Sequence, residues 1–189
     1  MNVDKNNPEE KAEGNAEDKA KEVIEEAKGG MISITDKDNE EAYLYSILPE
    51  DFISEHGLMN LAVVGGFSDN KKDSEGNLVV DSFKANPEFI NLLHQFLENF
   101  GRYSNVVLSQ LPHQEEGSWV YLIDQRVPDL SAAIEPKDII GGFKVEDGKL
   151  GEYAGNPSHE LITNDGIFMI GARLKQELIE FIKSKYKPN

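Results

Sequence analysis

The chemistry open to this sequence depends first on its four histidines, because imidazole is the side chain that most readily changes protonation near neutral pH. His159 lies within residues 155–160, the densest local group of side chains able to orient a ligand. Asn156 and Glu160 flank it as candidate binding residues. The glycine, asparagine and proline of this segment are also what a tight connection requires. His159 is therefore a candidate catalytic residue, with a purely structural turn as the alternative.

A second candidate site is formed by His113, Glu115 and Glu116, which lie close together in a turn-rich segment. In an extended segment His113 and Glu115 point to the same side, which suits a pair of metal ligands or a base with its orienting acid. The sequence offers no third ligand, so no metal site is expected. His113 remains a candidate catalytic residue and the two glutamates candidate binding residues. A polar hairpin tip is the alternative interpretation.

Asp124 and Arg126 complete the set of candidate catalytic residues. They come directly after a predicted strand, and the ends of strands are where rigid scaffolds present functional groups. A simple ion pair at the end of the strand is the alternative. The other two histidines are assigned structural roles, His94 at the solvated margin of an apolar helical stripe and His56 in a turn.

Familiar catalytic and cofactor motifs are absent from the sequence. It has no phosphate-binding loop, no dinucleotide-binding glycine pattern, no nucleophile elbow and no His-Glu-x-x-His zinc motif. The acidic stretches 36–41 and 69–77 lack the glycine and the glutamate that an EF-hand calcium loop requires. No cofactor is expected, and no resemblance to a known family emerges.

Two helices stand out among the elements that must position these residues. The first covers about 87–100, with Asn86 as N-cap, Pro87 at the first helical position and Gly101 just past the end. The second covers about 172–185, and lysines in its last turn complement the helix dipole. Each helix carries an apolar stripe, so both should pack on a core.

Strands fill most of the remaining chain. Asp147-Gly148 and Asp165-Gly166 each separate two apolar runs, which is the pattern of a two-residue hairpin turn. Residues 103–110 and 118–125 form a further predicted pair, and apolar residues on both faces of 118–125 indicate a central strand. Earlier strands are expected at 43–48, 61–67 and 78–83. Successive hairpins with two main helices predict an α+β fold with a largely antiparallel sheet.

Residues 1–30 differ in kind from the rest of the chain. They contain no aromatic residue and cannot bury enough apolar surface to offset the entropy of ordering. A narrow stripe, mostly alanine, would lie on one face of a helix at about 17–28, and Gly29-Gly30 would end it. The sequence therefore predicts a disordered or weakly helical acidic tail at 1–30 and a single globular domain at 31–189.

The distribution of charge restricts the partners of this chain. Residues 31–172 hold 24 of the 35 Asp and Glu but only 9 of the 19 Lys and Arg, and so carry −15 of the formal net charge of −16. Such a surface repels nucleic acid and anionic membranes. The chain has no cysteine and no run of 18 apolar residues, so the expectation is a soluble, cytoplasmic protein.

These observations favour a non-enzymatic binding or regulatory domain that docks on a basic protein partner, as an immunity or inhibitor protein would. The alternative is a small hydrolase or metal-assisted enzyme that uses His159 or His113 with neighbouring carboxylates. The two functions differ in what they require of the fold. An enzyme needs a cleft that brings His113 or His159 within hydrogen-bonding reach of Asp124.

Overall fold

The computed structural model of this chain describes residues 31–35, 41–68, 79–127, 134–163 and 165–186. The tail predicted at 1–30 lies outside these residues, as do the stretch 69–77 and nearly all of 36–41. Within the described part of the chain, helices alternate with antiparallel strands that pair as successive hairpins. The predicted α+β fold is confirmed.

The strands form three antiparallel sheets in the described part of the chain. They are β1 (Met31–Thr35), β2 (Glu41–Ser46), β3 (Val63–Ser68), β4 (Phe83–Ala85), β5 (Trp119–Ile123), β6 (Ile139–Glu146), β7 (Lys149–Gly155), β8 (Ile162–Thr163) and β9 (Gly166–Ile167). The first sheet has the order β1-β2-β3-β4, the second has the order β5-β6-β7, and β8 pairs with β9. The hairpin predicted at Asp147-Gly148 joins β6 to β7, and both turn residues have the positive φ that such a turn requires, 52° and 68°.

Four helices belong to the described residues: α1 (Glu50–His56), α2 (Pro87–Phe100), α3 (Asn105–Gln110) and α4 (Ala172–Lys183). The two predicted helices are confirmed as α2 and α4, whereas α1 and α3 were not predicted. Asn86 caps α2 as expected, since its side-chain oxygen accepts the backbone N–H of Glu88 at 3.0 Å. The core lies where α2 meets α4 and the two larger sheets, and Phe89, Leu93 and Phe96 are fully buried there.

The strand predicted at 103–110 is wrong, because this segment is helical. Ser104 accepts a hydrogen bond from the backbone N–H of Val107 and so begins α3. Val106 and Val107 favour a strand by intrinsic propensity. The serine cap and the complete burial of Val107 outweigh that preference, which is worth only a fraction of a kilocalorie per residue.

The prediction of a central strand at 118–125 is also wrong. Among the described residues β5 pairs with β6 alone, and β6 is the middle strand of the sheet. Leu122 is buried, whereas the Tyr121 side chain is 42% exposed, so one face of β5 meets the core. The side-chain amide of Gln110 donates to the carbonyl of Tyr121 and accepts its N–H, at 2.8 and 3.2 Å. These bonds satisfy part of the free edge, a position that invites unwanted pairing when it is left open.

The first sheet agrees better with the sequence. The strands expected at 43–48 and 61–67 appear as β2 and β3. The strand predicted at 78–83 is wrong over most of its described length, because Val80–Ser82 form a 3-10 turn and only Phe83–Ala85 pairs with β3. A Cβ added to Gly65 would overlap the ring of Phe83, so the close approach of this ring to β3 requires glycine at position 65.

Candidate functional site

The candidate site is built where β5 ends. The backbone N–H of Asp124 bonds the carbonyl of Asp138 at 2.8 Å, and the N–H of Gln125 bonds the carbonyl of Met169 at 2.9 Å. These two bonds hold the chain that leaves β5 between the segment before β6 and the segment after β9. Asp124 and Arg126 are therefore carried on backbone that is fixed from both sides.

His159 reaches the same place from a turn after β7. Asn156 organises this turn: its side-chain oxygen accepts the N–H of Ser158, and its side-chain NH₂ donates to the carbonyls of Pro136 and Ile139. The N–H of His159 in turn bonds the carbonyl of Asn156 at 3.2 Å. Asn156 thus positions His159, a role that turn-forming asparagines often have.

Asp124, Arg126 and His159 meet in one buried polar cluster. His159 Nε2 lies 2.9 Å from Asp124 Oδ2, and Arg126 Nη2 lies 2.8 Å from the same oxygen. The exposed fractions of the three side chains are 0% for Asp124, 1% for Arg126 and 4% for His159. The structure therefore brings together three of the four predicted catalytic candidates. The ion pair between Asp124 and Arg126 at the end of the strand, which was the alternative interpretation, is also present and belongs to a buried network with His159.

Arg126 ties this cluster to the small β8-β9 sheet. Its Nη1 donates to Thr163 Oγ1 at 3.0 Å and to the carbonyl of Gly166 at 2.8 Å, and its Nη2 donates to the carbonyl of Glu160 at 2.7 Å. Its Nε is buried and has no hydrogen-bond partner among the described residues. Most of the donors of this guanidinium hold the fold together, so Arg126 has little left to offer a ligand.

Asp124 has all its acceptor positions in use. Its Oδ1 accepts the backbone N–H groups of Arg126 and Met169, at 3.1 and 2.9 Å. Burial by itself raises the pKa of Asp124, but the hydrogen bond from His159, the charge and hydrogen bond of Arg126, and the N–H of Met169 together outweigh burial. The pKa of Asp124 is therefore below its ordinary value, and the carboxylate is ionised at neutral pH.

The ionised carboxylate decides which nitrogen of His159 carries the proton. A carboxylate can only accept, so the hydrogen in the 2.9 Å contact belongs to Nε2 of His159. In the neutral ring, Nδ1 is then an unprotonated acceptor. Nδ1 has no hydrogen-bond partner among the described residues, and it is not sealed from solvent. It is the one atom of this cluster that is available to another molecule.

His159 lines a cleft of about 490 Å³ that lies between β4, with the turn before it, and residues 159–163 and 165. Its charged lining residues are Asp81, Glu160, Asp165 and Lys137. Lys137 Nζ lies 3.0 Å from Glu135 Oε2, and the hydrogen bond and charge of Glu135 raise the pKa of this lysine. The apolar walls are formed by Val80, Phe83, Ala85, Leu161 and Ile162.

The other predicted site residues do not converge on this cleft. His113 ends an exposed 3-10 turn and makes no contact with Asp124. Glu116 accepts the backbone N–H groups of Asp147 and Gly148, at 3.0 and 3.3 Å, and so supports the β6-β7 turn. The Glu115 side chain is exposed. Residues 113–116 therefore agree with the alternative interpretation, in which this segment is an exposed polar turn and not a site.

The two remaining histidines are held by aromatic neighbours. His94 is half-buried, not solvated as predicted, and its Nδ1 lies 2.9 Å from the hydroxyl of Tyr153. Burial, and secondly the nearby His159, lower the pKa of His94. His56 ends α1 with its ring 4.5 Å from that of Phe52 and 4.8 Å from that of Tyr186, measured between centroids. The structure therefore corrects both placements: His94 was expected at a solvated margin and His56 in a turn, and both rings instead pack against aromatic side chains.

Sequence reasoning missed the opposite wall of the cleft. Asp81 and Phe83 come from β4 and the turn before it, and Lys137 comes from the segment before β6. The signal available in the sequence was the hairpin dipeptide Asp165-Gly166, which places an aspartate near His159. Nothing in the spacing of residues 80–85 indicates that they face residues 159–165, since β4 and β8 belong to different sheets.

Two classes of site are not found in the described part of the chain. No group of three or more His, Asp or Glu side chains there is arranged to hold a metal ion. No described helix is long and apolar enough to cross a membrane.

Comparison with protein-family models, with curated proteins and with solved structures finds no match to this chain. Its function has to be inferred from the geometry of the cleft itself.

Proposed function

We propose that this protein is a non-enzymatic acidic binding domain that docks on a basic protein partner, and that the cleft beside His159 is the centre of the docking surface. The observation that carries this proposal is the set of unpaired carboxylates at the cleft. Asp81, Glu160 and Asp165 make no ion pair with any described residue, and the one lysine of the lining is paired with Glu135. Lys137 also interacts with the charge of Asp165, but three carboxylates against one lysine leave the lining with a net negative charge.

A net negative charge in a concave surface attracts positively charged molecules toward that surface. Clefts lined by one sign of charge focus the electrostatic potential and raise the rate at which oppositely charged molecules arrive. The net charge of −15 over residues 31–172 extends this field beyond the cleft. A basic partner would thus be attracted at long range and oriented toward the cleft at short range.

The buried cluster supports this proposal because it fixes the position of one wall of the cleft. Arg126 donates to the carbonyls of Glu160 and Gly166 and to the hydroxyl of Thr163, and Asp124 accepts the backbone N–H of Met169. They hold the wall that carries Glu160 and Asp165 in a fixed position. A rigid wall lowers the entropy cost of binding, which is how preorganised surfaces gain affinity.

The test compares two double variants with the same change in net charge. Asp81→Lys with Asp165→Lys alters the cleft, and Glu115→Lys with Glu152→Lys alters exposed positions elsewhere. The immobilised protein is first used to capture partners from the source cell at low and at high salt, and association kinetics are then measured on each purified partner. We expect the cleft variant to lower the association rate constant by about tenfold or more, and the control variant to lower it by less than about threefold.

Two results would contradict the proposal. One is equal slowing by both variants, which would mean that overall charge and not the cleft controls docking. The other is the absence of any partner whose association slows as salt is raised, since electrostatic steering is screened over about 8 to 10 Å at physiological ionic strength.

A hydrolase is the second candidate function, and the specific observation in its favour is the 2.9 Å bond between His159 and Asp124. An aspartate that fixes the tautomer of a histidine, with the other ring nitrogen open to a cleft, is the arrangement of a general base. His159 Nδ1 would take a proton from a water molecule that attacks an ester or amide. The carboxylates that line the cleft favour the binding function instead, because they oppose the negative charge that develops when water attacks an ester or amide.

Hydrolysis is tested with a panel of ester and amide substrates on wild type and His159→Gln. A genuine general base should make kcat fall by about a hundredfold or more in the variant. Exposed His113 provides the matched control, and His113→Gln should leave kcat unchanged. Turnover that is equal in all three proteins would exclude His159 as the base.

A further inference from the structure

The most informative atom of the cleft is His159 Nδ1. It belongs to a side chain that is almost completely buried by its neighbours, since only 4% of the side chain is exposed. Its ring partner Nε2 is held by Asp124, and the ring meets Phe168 edge-on at 6.4 Å between centroids. A buried ring fixed this firmly cannot turn to find another partner for Nδ1. In the free protein only water can satisfy this nitrogen, and a hydrogen-bond donor of a ligand in the cleft would take the place of that water.

The proton on Nε2 determines whether a ligand atom that meets Nδ1 must donate or accept a hydrogen bond. Nδ1 is an acceptor in the neutral ring, so its partner must be a hydrogen-bond donor. The same cleft carries the carboxylates of Glu160 and Asp165, neither of which forms an ion pair with a described residue. These carboxylates would repel a negatively charged ligand group. A positively charged donor can both bond Nδ1 and be attracted by the carboxylates. The ligand group is therefore a cationic donor.

The lining distinguishes between the two basic side chains. Val80, Phe83, Leu161 and Ile162 give the cleft apolar walls. A guanidinium is planar, more weakly hydrated than an ammonium and able to lie on an aromatic ring. It also presents several donors in one plane, so it can meet a ring nitrogen and a carboxylate together. An ammonium is a compact and strongly hydrated charge, and it loses more by entering apolar surroundings.

We infer that the cleft is a socket for an arginine side chain of the partner, whose guanidinium donates to His159 Nδ1 and pairs with Asp165 while its methylene stem lies along Phe83 and Leu161. This inference rests on the proposed function and names the group that the docking surface recognises. It assigns His159 the role of a binding residue.

The experiment uses the full chain and three small probes at pH 8: N-acetyl-arginine amide, N-acetyl-lysine amide and the uncharged isostere N-acetyl-citrulline amide. The ¹⁵N resonances of the imidazole nitrogens are followed during titration. We expect the arginine probe to shift Nδ1 of His159 in a saturable way, and the lysine and citrulline probes to need at least about tenfold higher concentrations for the same shift.

The chain offers a matched pair of variants for this titration. Asp165→Asn and Asp147→Asn each replace an aspartate that precedes a glycine at a β-hairpin, but of these two residues only Asp165 lines the cleft. Asp165→Asn should raise the concentration of arginine probe needed for half-saturation by about tenfold, and Asp147→Asn should leave it unchanged. Equal effects of the two variants would overturn the inference.

Three further results would also overturn it: no shift of Nδ1 with the arginine probe, an equal shift with citrulline, or binding of lysine as tight as that of arginine. These failures are distinguishable from failure of the proposed function. A partner whose association still depends on salt and on Asp81 and Asp165 would leave the docking surface in place without the arginine socket. Loss of that dependence removes the proposed function, whatever the arginine probe does.

Discussion

Residues 113–116 and residues 156–160 each place a histidine and one or more glutamates beside a turn. In the first segment His113 and Glu115 are exposed, and Glu116 supports a neighbouring turn. In the second segment His159 is buried against Asp124 and Arg126 and lines a cleft. The difference does not come from the segments themselves. It comes from what the fold places opposite them, which is solvent for residues 113–116 and the end of β5 for His159.

The comparison also shows how a buried polar cluster can be tolerated. Isolated buried charges are costly, but here the ion pair is neutral overall and almost every polar atom has a partner. Such a cluster is a strong constraint on local structure because any single deletion leaves a partner unsatisfied. The exposed segment has no such dependence. Variants of the two segments should therefore differ widely in their effect on stability.

The largest effect is expected for Arg126→Ala. It leaves the carboxylate of Asp124 buried without its charged partner, and we expect the free energy of unfolding to fall by about 3 to 5 kcal/mol. The matched control is Arg173→Ala, which removes an exposed pair with Glu177 at 2.9 Å and should cost less than about 0.5 kcal/mol. Urea denaturation measures both. A loss below about 1 kcal/mol for Arg126→Ala would mean that the cluster does not hold the cleft wall.

The next largest effect is the dependence of stability on acid pH. The pKa of Asp124 is lower in the folded protein than in the unfolded chain, so its contribution is complete above the unfolded value of about 4 and is lost as pH falls through the folded value. We expect thermal unfolding of the wild type to move to lower temperature as pH falls below about 4. Asp124→Asn should be less stable at pH 7 and should show a shallower decline in acid. An unchanged slope would assign the acid sensitivity to other carboxylates.

A smaller effect is expected for His94→Ala, which tests the neighbourhood of the cluster. The side chain is half-buried beside Tyr153, so the loss should be about 1 to 2 kcal/mol and not the negligible loss of a solvated residue. Because the folded pKa of His94 is lowered, wild-type stability should also fall as pH drops below about 6.5, where the unfolded chain takes up a proton first. Chemical denaturation at pH 5.5 and pH 7.5 tests both statements. His113→Ala, as control, should cost under about 0.5 kcal/mol at either pH.

The smallest effects separate the two glutamates of residues 113–116. Glu116→Ala removes the acceptor for the N–H groups of Asp147 and Gly148 and should cost about 0.5 to 1.5 kcal/mol. Glu115→Ala removes an exposed side chain and should stay within about 0.5 kcal/mol of wild type. Thermal unfolding of the two variants measures both losses of stability. Equal values would mean that Glu116 does not stabilise the β6-β7 turn.

Particular residues explain how far sequence reasoning reached. Asn86, Pro87 and the apolar stripe predicted α2 because capping and helical periodicity act within one turn of chain. Asp147-Gly148 predicted a hairpin for the same local reason. The failures at 103–110 and 118–125 came from tertiary context. Val107 is helical because it is capped and packed, and Tyr121 is exposed although its strand alternates like a buried one.

The candidate site, like the fold, was predictable from the sequence only in part. Asp124, Arg126 and His159 were identifiable as candidates from residue type and position, but so was His113, and nothing local distinguishes them. Contacts between residues 35 to 45 positions apart decide that His159, and not His113, belongs to the buried cluster. Asp124 contacts His159 and Met169 in this way. The sequence determined the turns, the caps, the amphipathic helices and the acidic charge, because each depends on neighbours in the chain. The tertiary structure alone decided which histidine is buried beside an ionised aspartate, which of its nitrogens stays open and which carboxylates surround it, because those are properties of packing between distant segments.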